Sequence, residues 1–404
     1  MIPCVIFVLY LISSTNPDRF IQGIYLNSYQ ANKKSFLEKV FAYADSGYIN
    51  TIVVDLKGDY GYLTYESEVD LVKELKAYRK YIELGDLIER CKEKNVKLIA
   101  RIVCFRDSYL AHYEDCAIRD TAGKVWYDKT GIAWVNPYNK KVWRYLMRIV
   151  QELAKKGVRS FAFDYIRFPT DGNIAIISLT DVWGDRHEPI IGFLEEMRKR
   201  VDVEIGVCIF GYAVWYDLKT EGQELSRFGS VVDVVYPMLY PSHFHPRFKK
   251  EICEYWRNYW IYFDSVEEAF KKLPQNVKVI PFIQGFDLYV EEYNDDYIFA
   301  QILGAMNADA DGIVIWNAAS NYTNSLPSLA RAHNLAQYRY VQNSLNIRRR
   351  ELLHQYQEII PSLSLSLKKN QKKNLTNPGP DNQFDSQPSK KIPKSLFPDQ
   401  ILLW

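Results

Sequence analysis

Eight short runs of apolar, β-branched or aromatic residues recur along the first three quarters of the chain: Gly23–Asn27, Thr51–Lys57, Lys97–Phe105, Ser160–Phe168, Glu204–Gly211, Val231–Tyr240, Lys278–Phe286 and Gly312–Asn317. Each is near-continuous in apolar character, the pattern of parallel strands buried on both faces. Amphipathic segments fall between them: Lys34–Ser46, Leu84–Lys94, Asn139–Lys156, Pro189–Arg200, Val266–Lys272 and Asp295–Met306. Gly47 and Gly157 stand just past two of these, where a helix stops, and Pro189 stands at the start of another, where its missing N–H is harmless. Eight strands with interposed helices predict an α/β fold, a single (β/α)8 TIM barrel with long βα loops, rather than an open sheet. No glycine-rich phosphate loop follows any strand, so a nucleotide-binding sheet has no support.

The spacing divides the 404 residues into a leader-like apolar segment over 1–20, a barrel over 21–333, a possible extra helix over 334–360 and a basic, disordered tail over 361–404. Met1–Ile12 is apolar and runs into Ser13, Ser14 and Thr15, with no Lys or Arg ahead of it. It is too short to cross a bilayer and has the length of an export leader. The expectation is a secreted or cell-envelope protein with no membrane span in the mature chain. Of six cysteines, Cys4 lies in that leader, and the odd number remaining argues against a full disulfide framework. Cys104 and Cys208 sit inside apolar runs, as buried free thiols do. A formal net charge of +2 gives no electrostatic case for a nucleic-acid partner. Oligomeric state is not legible.

Three strand-to-helix connections are long: Gly58–Tyr81, Arg106–Pro137 and Pro241–Glu251. In a barrel they lie on the catalytic face. They are rich in rings, and the chain as a whole carries 30 Tyr, 20 Phe and 9 Trp, which suits a cleft for sugars. Cleaving a glycosidic bond needs two carboxyl groups about the scissile oxygen. Asp164, ending the fourth run among aromatics, is the first candidate, with Arg167 close enough to pair with it. Asp55 and Lys57 share one face of the second run by period-two alternation and are expected to pair, and Asp59, just past that run, is a freer candidate for proton donor. The fifth run carries no acid; Asp217 lies beyond it, and Asp287 lies after the seventh. Tyr236, Tyr240, Gln284 and Trp316, with Arg101, Arg167, Lys57 and the loop residues Trp126 and Trp134, are expected to hold sugar or tune its charge. His243 and His245 lack a third ligand, so no metal and no cofactor is expected. No nucleophile elbow supports acyl transfer.

The blocks Ile99–Arg106, Ala117–Asp120, Gly123–Trp126, Ala133–Pro137 and Phe163–Pro169 resemble, in wording and order, the putative glycosyl hydrolase domain family of bacterial barrel proteins. Gly23–Leu26, Val54–Gly61 and Tyr236–His243 look like the same family's remaining blocks, so the resemblance runs from about Gln22 to Asn321. It implies a TIM barrel with glycosidase activity, and no particular substrate. A looser similarity to family 18 chitinases covers the strand-four Asp, a Met-x-Tyr sixth strand and a strand-eight Trp. It breaks after Asp164, where Tyr165-Ile166-Arg167 replaces the repeated acids of that pattern. The combined reading is a hydrolase acting on an oligo- or polysaccharide, Asp164 and either Asp55 or Asp59 forming the pair. The alternatives are a non-catalytic carbohydrate-binding barrel and a metal hydrolase.

Overall fold

The computed structural model describes residues 20–178, 184–249 and 253–335. The leader-like segment, nearly all of the expected extra helix and the tail lie outside the described residues. The strands are β1 Ile21–Leu26, β2 Thr51–Lys57, β3 Lys97–Val103, β4 Ser160–Asp164, β5 Glu204–Phe210, β6 Val234–Met238, β7 Lys278–Val279, β8 Phe282–Gln284 and β9 Gly312–Trp316. Every pairing between them is parallel. β1 pairs with both β2 and β9, and β5 pairs with β6, so the sheet closes on itself. β7 and β8 are two pieces of one barrel strand, parted where Pro281 has no N–H to give to the ladder. The chain is therefore the expected (β/α)8 barrel.

Helices α1 Lys34–Asp45, α2 Leu84–Glu93, α3 Lys140–Lys156, α4 His187–Arg200, α5 Glu254–Lys272 and α6 Asp295–Asn307 surround it. α3 shows how the sequence sets these bounds. The Asn139 side chain accepts from the Lys141 N–H at the start, and Gly157 takes a left-handed φ of 108° at the end, returning its N–H to the carbonyls of Leu153 and Ala154. Between these caps Val142, Leu146, Ile149, Val150 and Leu153 face the barrel, each worth about 1.5–3 kcal/mol when fully buried. α5 begins twelve residues before the expected Val266. Its first half buries Asn258 while leaving Trp256 and Trp260 exposed, so polarity there does not track burial and the helical period is masked.

Alternate strand residues fill the lumen: Val53, Ile99, Ala162, Cys208, Val234, Tyr236, Ile280, Phe282 and Val314 form one buried cluster. Tyr236 belongs to this filling. It is fully buried, its ring 5.5 Å from Phe282, and a Cβ on Gly206 would stand 2.3 Å from it. Glycine at 206 is what lets that ring into the lumen, and Tyr236 does not reach a sugar. Cys91, Cys104, Cys116 and Cys208 are buried free thiols, Cys253 an exposed one.

Candidate active site

One layer above the apolar filling the lumen turns polar. Arg101, pointing inward from β3 and almost wholly buried, is its hub. Its Nε donates to Asp164 Oδ2 at 2.8 Å, its Nη1 to Asp55 Oδ1 at 2.7 Å and its Nη2 to Asp59 Oδ1 at 2.9 Å. Nη2 also lies 2.8 Å from Asp164 Oδ2. Three carboxylates from β2, the loop after it and β4 thus meet on one guanidinium. The cross-strand register explains two of them: Asp55 stands opposite Arg101, and Asp164 opposite Val103 on the other side of β3.

Each carboxylate has a different second partner. Tyr25 donates its hydroxyl to Asp55 Oδ2 at 2.5 Å, and its ring stacks on Trp316 at 3.8 Å; Trp316 in turn lies 5.0 Å from the Arg101 guanidinium. Asp164 Oδ1 accepts from the backbone N–H of Tyr165 at 2.7 Å. Tyr165 holds φ at 47°, a left-handed conformation that costs a non-glycine residue of order 1–3 kcal/mol and is found where a site demands it. That turn ends β4 at Asp164 and aims the amide back at its carboxylate. Asp59 is 43 % exposed, its Oδ2 3.8 Å from Arg106.

These groups open onto a cavity of about 710 Å³, within the range of ligand-binding clefts. Asp59, Arg101, Asp164, Arg167, Tyr240 and Trp316 line it, so these sequence candidates come together, with Tyr165 beside them. Asp55 does not line it; it lies behind Arg101. Among the other wall residues, Glu221 escaped the sequence reading and His243 was weighed there only as a metal ligand. Glu221, in the connection after β5, supplies the carboxyl that β5 itself lacks, its Oε2 accepting from Thr220 Oγ1 at 2.7 Å. His243 faces the cavity from the loop after β6, its Nδ1 2.9 Å from Ser242 Oγ. Acidic residues of long loops carry no strand pattern, so Glu221 had no signal beyond its place after the fifth strand.

Two expected pairings do not form, and several other candidates serve the frame instead. Lys57 does not pair with Asp55. The register slips between them, Asp55 opposing Arg101 and Lys57 opposing Ile102, and this bulge turns Lys57 off the face that Asp55 occupies. Lys57 pairs with Asp107 at 2.8 Å, both side chains without exposure, and donates to the Val103 carbonyl. Arg167 does not pair with Asp164 either; it donates to the Phe168 carbonyl and lies 4.5–5.1 Å from the rings of Phe210, Tyr165 and Trp134. Trp126 and Trp134 are buried rather than cleft walls. Their indole N–H groups go to the Asn173 carbonyl and to Asp128 Oδ2, because the loop after β3 folds on itself through antiparallel bridges such as Arg106–Trp134 and Tyr127–Ala133. Gln284 is buried and spent on loops: its carbonyl accepts from Ser242 N–H and its amide donates to the carbonyls of Phe286 and Leu288.

Electrostatics separate the carboxyls. Burial pushes Asp55 above its ordinary value, against the pull of Arg101. Burial also works to raise Asp59, but Arg101, by charge and hydrogen bond, with Arg106 and Lys57, holds it below the usual carboxylate value. Burial lowers His243, which favours the neutral imidazole. Among the described residues, His187, Asp217 and Glu224 bring possible metal-ligand atoms within 4.8 Å of one another. Their charges are already matched internally: His187 contacts Asp185 at 2.6 Å and Asp217 at 2.7 Å, and Arg227 pairs with Glu224 at 2.7 Å. No described helix is long and apolar enough to cross a membrane.

Residues 23–322 match the family described as "Putative glycosyl hydrolase domain". No curated protein matches the chain. Among solved structures, the chain is similar to the PgaB (BpsB) glycoside hydrolase domain of Bordetella bronchiseptica, at 11 % identity and a TM-score of 0.56 over 78 % of this chain and 98 % of that one. It is similar to the endo-beta-1,4-mannanase of Thermotoga petrophila, at 13 % identity and a TM-score of 0.52 over 80 % and 77 %. A hypothetical protein from Ruminiclostridium thermocellum is 32 % identical over 44 % of this chain and 92 % of its own, with a TM-score of 0.42. At such low identity the first two show the barrel fold alone; the family match spans most of the chain. The chain belongs to the putative glycosyl hydrolase domain family and is a glycosidase-type enzyme.

Proposed function

We propose that the protein hydrolyses a polysaccharide or cell-envelope glycan with retention of anomeric configuration, using Asp59 and Asp164. One observation carries this reading: a single nitrogen, Arg101 Nη2, bonds an oxygen of each. Those two oxygens therefore lie no farther apart than the sum of 2.8 and 2.9 Å. That upper bound falls short of the about 6.5–9.5 Å that inverting enzymes leave for a water, and so favours the about 5–5.5 Å arrangement of retaining ones. Asp164, fixed in place by Arg101 and the Tyr165 amide, acts as nucleophile. Asp59 is the proton donor once substrate covers it, since losing its exposure to water raises its affinity for a proton. Asp55 is a positioning residue that orients Arg101 from behind. Neutral His243 and the rings of Tyr240 and Trp316 offer hydrogen bonds and a stacking floor to the sugar. Met1–Ile12 supports export of the mature enzyme, which N-terminal sequencing of secreted protein tests. The mechanism is tested by NMR of the first-formed product from a panel of soluble glycans: the same anomer as substrate is expected, and the opposite anomer overturns the assignment.

A further inference from the structure

Tyrosines crowd the rim beside Asp59, outside the cavity. Tyr60 is 58 % exposed, and the ring of Tyr62 lies 6.4 Å from it and tilted by only 12°. Tyr81 and Tyr109 meet Tyr62 edge-on at 6.2 and 6.1 Å. Arg79 binds the group together, its Nη2 donating to the Tyr109 hydroxyl at 2.8 Å and its guanidinium 5.6 Å from the Tyr62 ring. Leaving large rings in water has a cost, and here the rings are also held still.

The fastening is the buried pair described above. Asp107, gripped by Lys57, accepts the backbone N–H groups of Tyr109 and Leu110 on its Oδ1. Gly61 presses against the same carboxylate: it has φ 98°, and a Cβ there would stand 2.1 Å from Asp107 Oδ1. Ser108 N–H donates to the Tyr60 carbonyl at 3.1 Å. The loops after β2 and β3 are thereby clamped together with their tyrosines presented outward. Such rigid, preformed aromatic surface is what a stacked ligand requires, because little entropy is lost on binding.

The location says what that ligand is. The cavity is walled by the loops after β4, β5 and β6 and by Trp316, whereas the tyrosines rise from the loops after β2 and β3. Asp59 stands at the junction, in the cavity wall and next in sequence to Tyr60. A glycan lying in the cavity with its scissile bond at Asp59 can continue onto these rings. We propose that Tyr60 and Tyr62, with Arg79, form subsites for sugar units on the far side of the scissile bond, so that the enzyme cuts inside a linear chain rather than trimming its end. This rests on the assignment of Asp59 and Asp164 as the reacting pair.

The test compares a long and a short substrate on the full-length enzyme and a Tyr60→Ala variant. Carboxymethyl cellulose, glycol chitosan and glucomannan serve as polymers, and aryl monosaccharide glycosides as short substrates. Tyr60→Ala is expected to raise KM roughly tenfold more for the cleaved polymer than for the aryl glycoside, the scale of one aromatic contact. An equal change on both substrates, or none, overturns the proposal. Retardation of the Asp164→Asn variant in gels containing each polymer separates the two ideas. Slower migration that is relieved by adding Tyr60→Ala supports the platform even if no turnover is found, in which case the hydrolytic reading alone fails. Migration unaffected by the polymers, or by the added substitution, overturns the platform.

Discussion

Lys57 with Asp107 and Arg101 with Asp55, Asp59 and Asp164 are neighbouring ionic clusters built from β2, β3, the loops that follow them and the end of β4. The first is one cation on one anion, with no exposure on either side chain. The second sets three carboxyl groups on one guanidinium and opens to the cavity, its members ranging from 3 % exposed at Arg101 to 43 % at Asp59. A matched pair sealed from water has no free charge to offer a substrate and acts only on the chain around it. Carboxyl groups that reach the edge of a cleft can meet the positive charge that develops on a sugar ring as its bond breaks. The difference between structural and chemical charge in this barrel is therefore one of stoichiometry and access, not of residue type.

The contrast can be broken from either end. The largest effect is expected at the open cluster: Asp59→Asn should lower kcat/KM by about 10²–10⁴-fold, the usual worth of a positioned proton donor, with only a small fall in melting temperature from the lost pairing of a 43 % exposed side chain. Steady-state kinetics beside circular dichroism melts check this. At the sealed pair the order reverses. Lys57→Met leaves Asp107 charged and buried, so the unfolding free energy should drop by about 3–5 kcal/mol in denaturant titration, with kcat of the folded fraction changed far less. Adding Asp107→Asn should recover part of that loss, since the uncompensated charge is then gone.

Acid dependence sharpens the contrast further. Asp59 is held below the ordinary carboxylate value in the folded protein. Its pairing therefore stabilises the fold above the unfolded value of about 3.9 and is lost as pH falls through the lower, folded value. The same depression bears on rate. In the free enzyme Asp59 loses its proton below the ordinary carboxylate value, so the alkaline limb of kcat/KM should begin on the acid side of that value. The alkaline limb of kcat, which reports the complex with Asp59 covered, should lie at higher pH. Coincident limbs would remove Asp59 as donor. The smallest effect is expected at Gln284→Leu, which leaves the Ser242 N–H and two loop carbonyls without partners: a loss of about 1–3 kcal/mol in stability, read in the same titration.

The barrel was legible because its signal is repeated eight times, and Asp164, Asp59, Arg101, Tyr240 and Trp316 were legible because strand ends in a barrel point to one place. What the sequence hid depends on single local events. A one-residue bulge sends Lys57 to Asp107, and alternation alone cannot announce it. A missing Cβ at Gly206 admits Tyr236 to the lumen, so a tyrosine in the middle of β6 becomes filling. Trp126 and Trp134 look like cleft rings in a long loop, but that loop builds a small core of its own around them. Arg167 stands three residues from Asp164, yet the left-handed turn at Tyr165 swings it away and leaves the carboxylate to Arg101. Glu221 arrives from a loop whose path no periodicity describes.

The most direct test of the open cluster as the seat of chemistry is turnover of a cleavable glycan by the Asp164→Asn variant, measured on protein whose circular dichroism and melting match the wild type. Loss of at least about a hundredfold in kcat with the fold intact is the expected result. Wild-type turnover in that variant would contradict it.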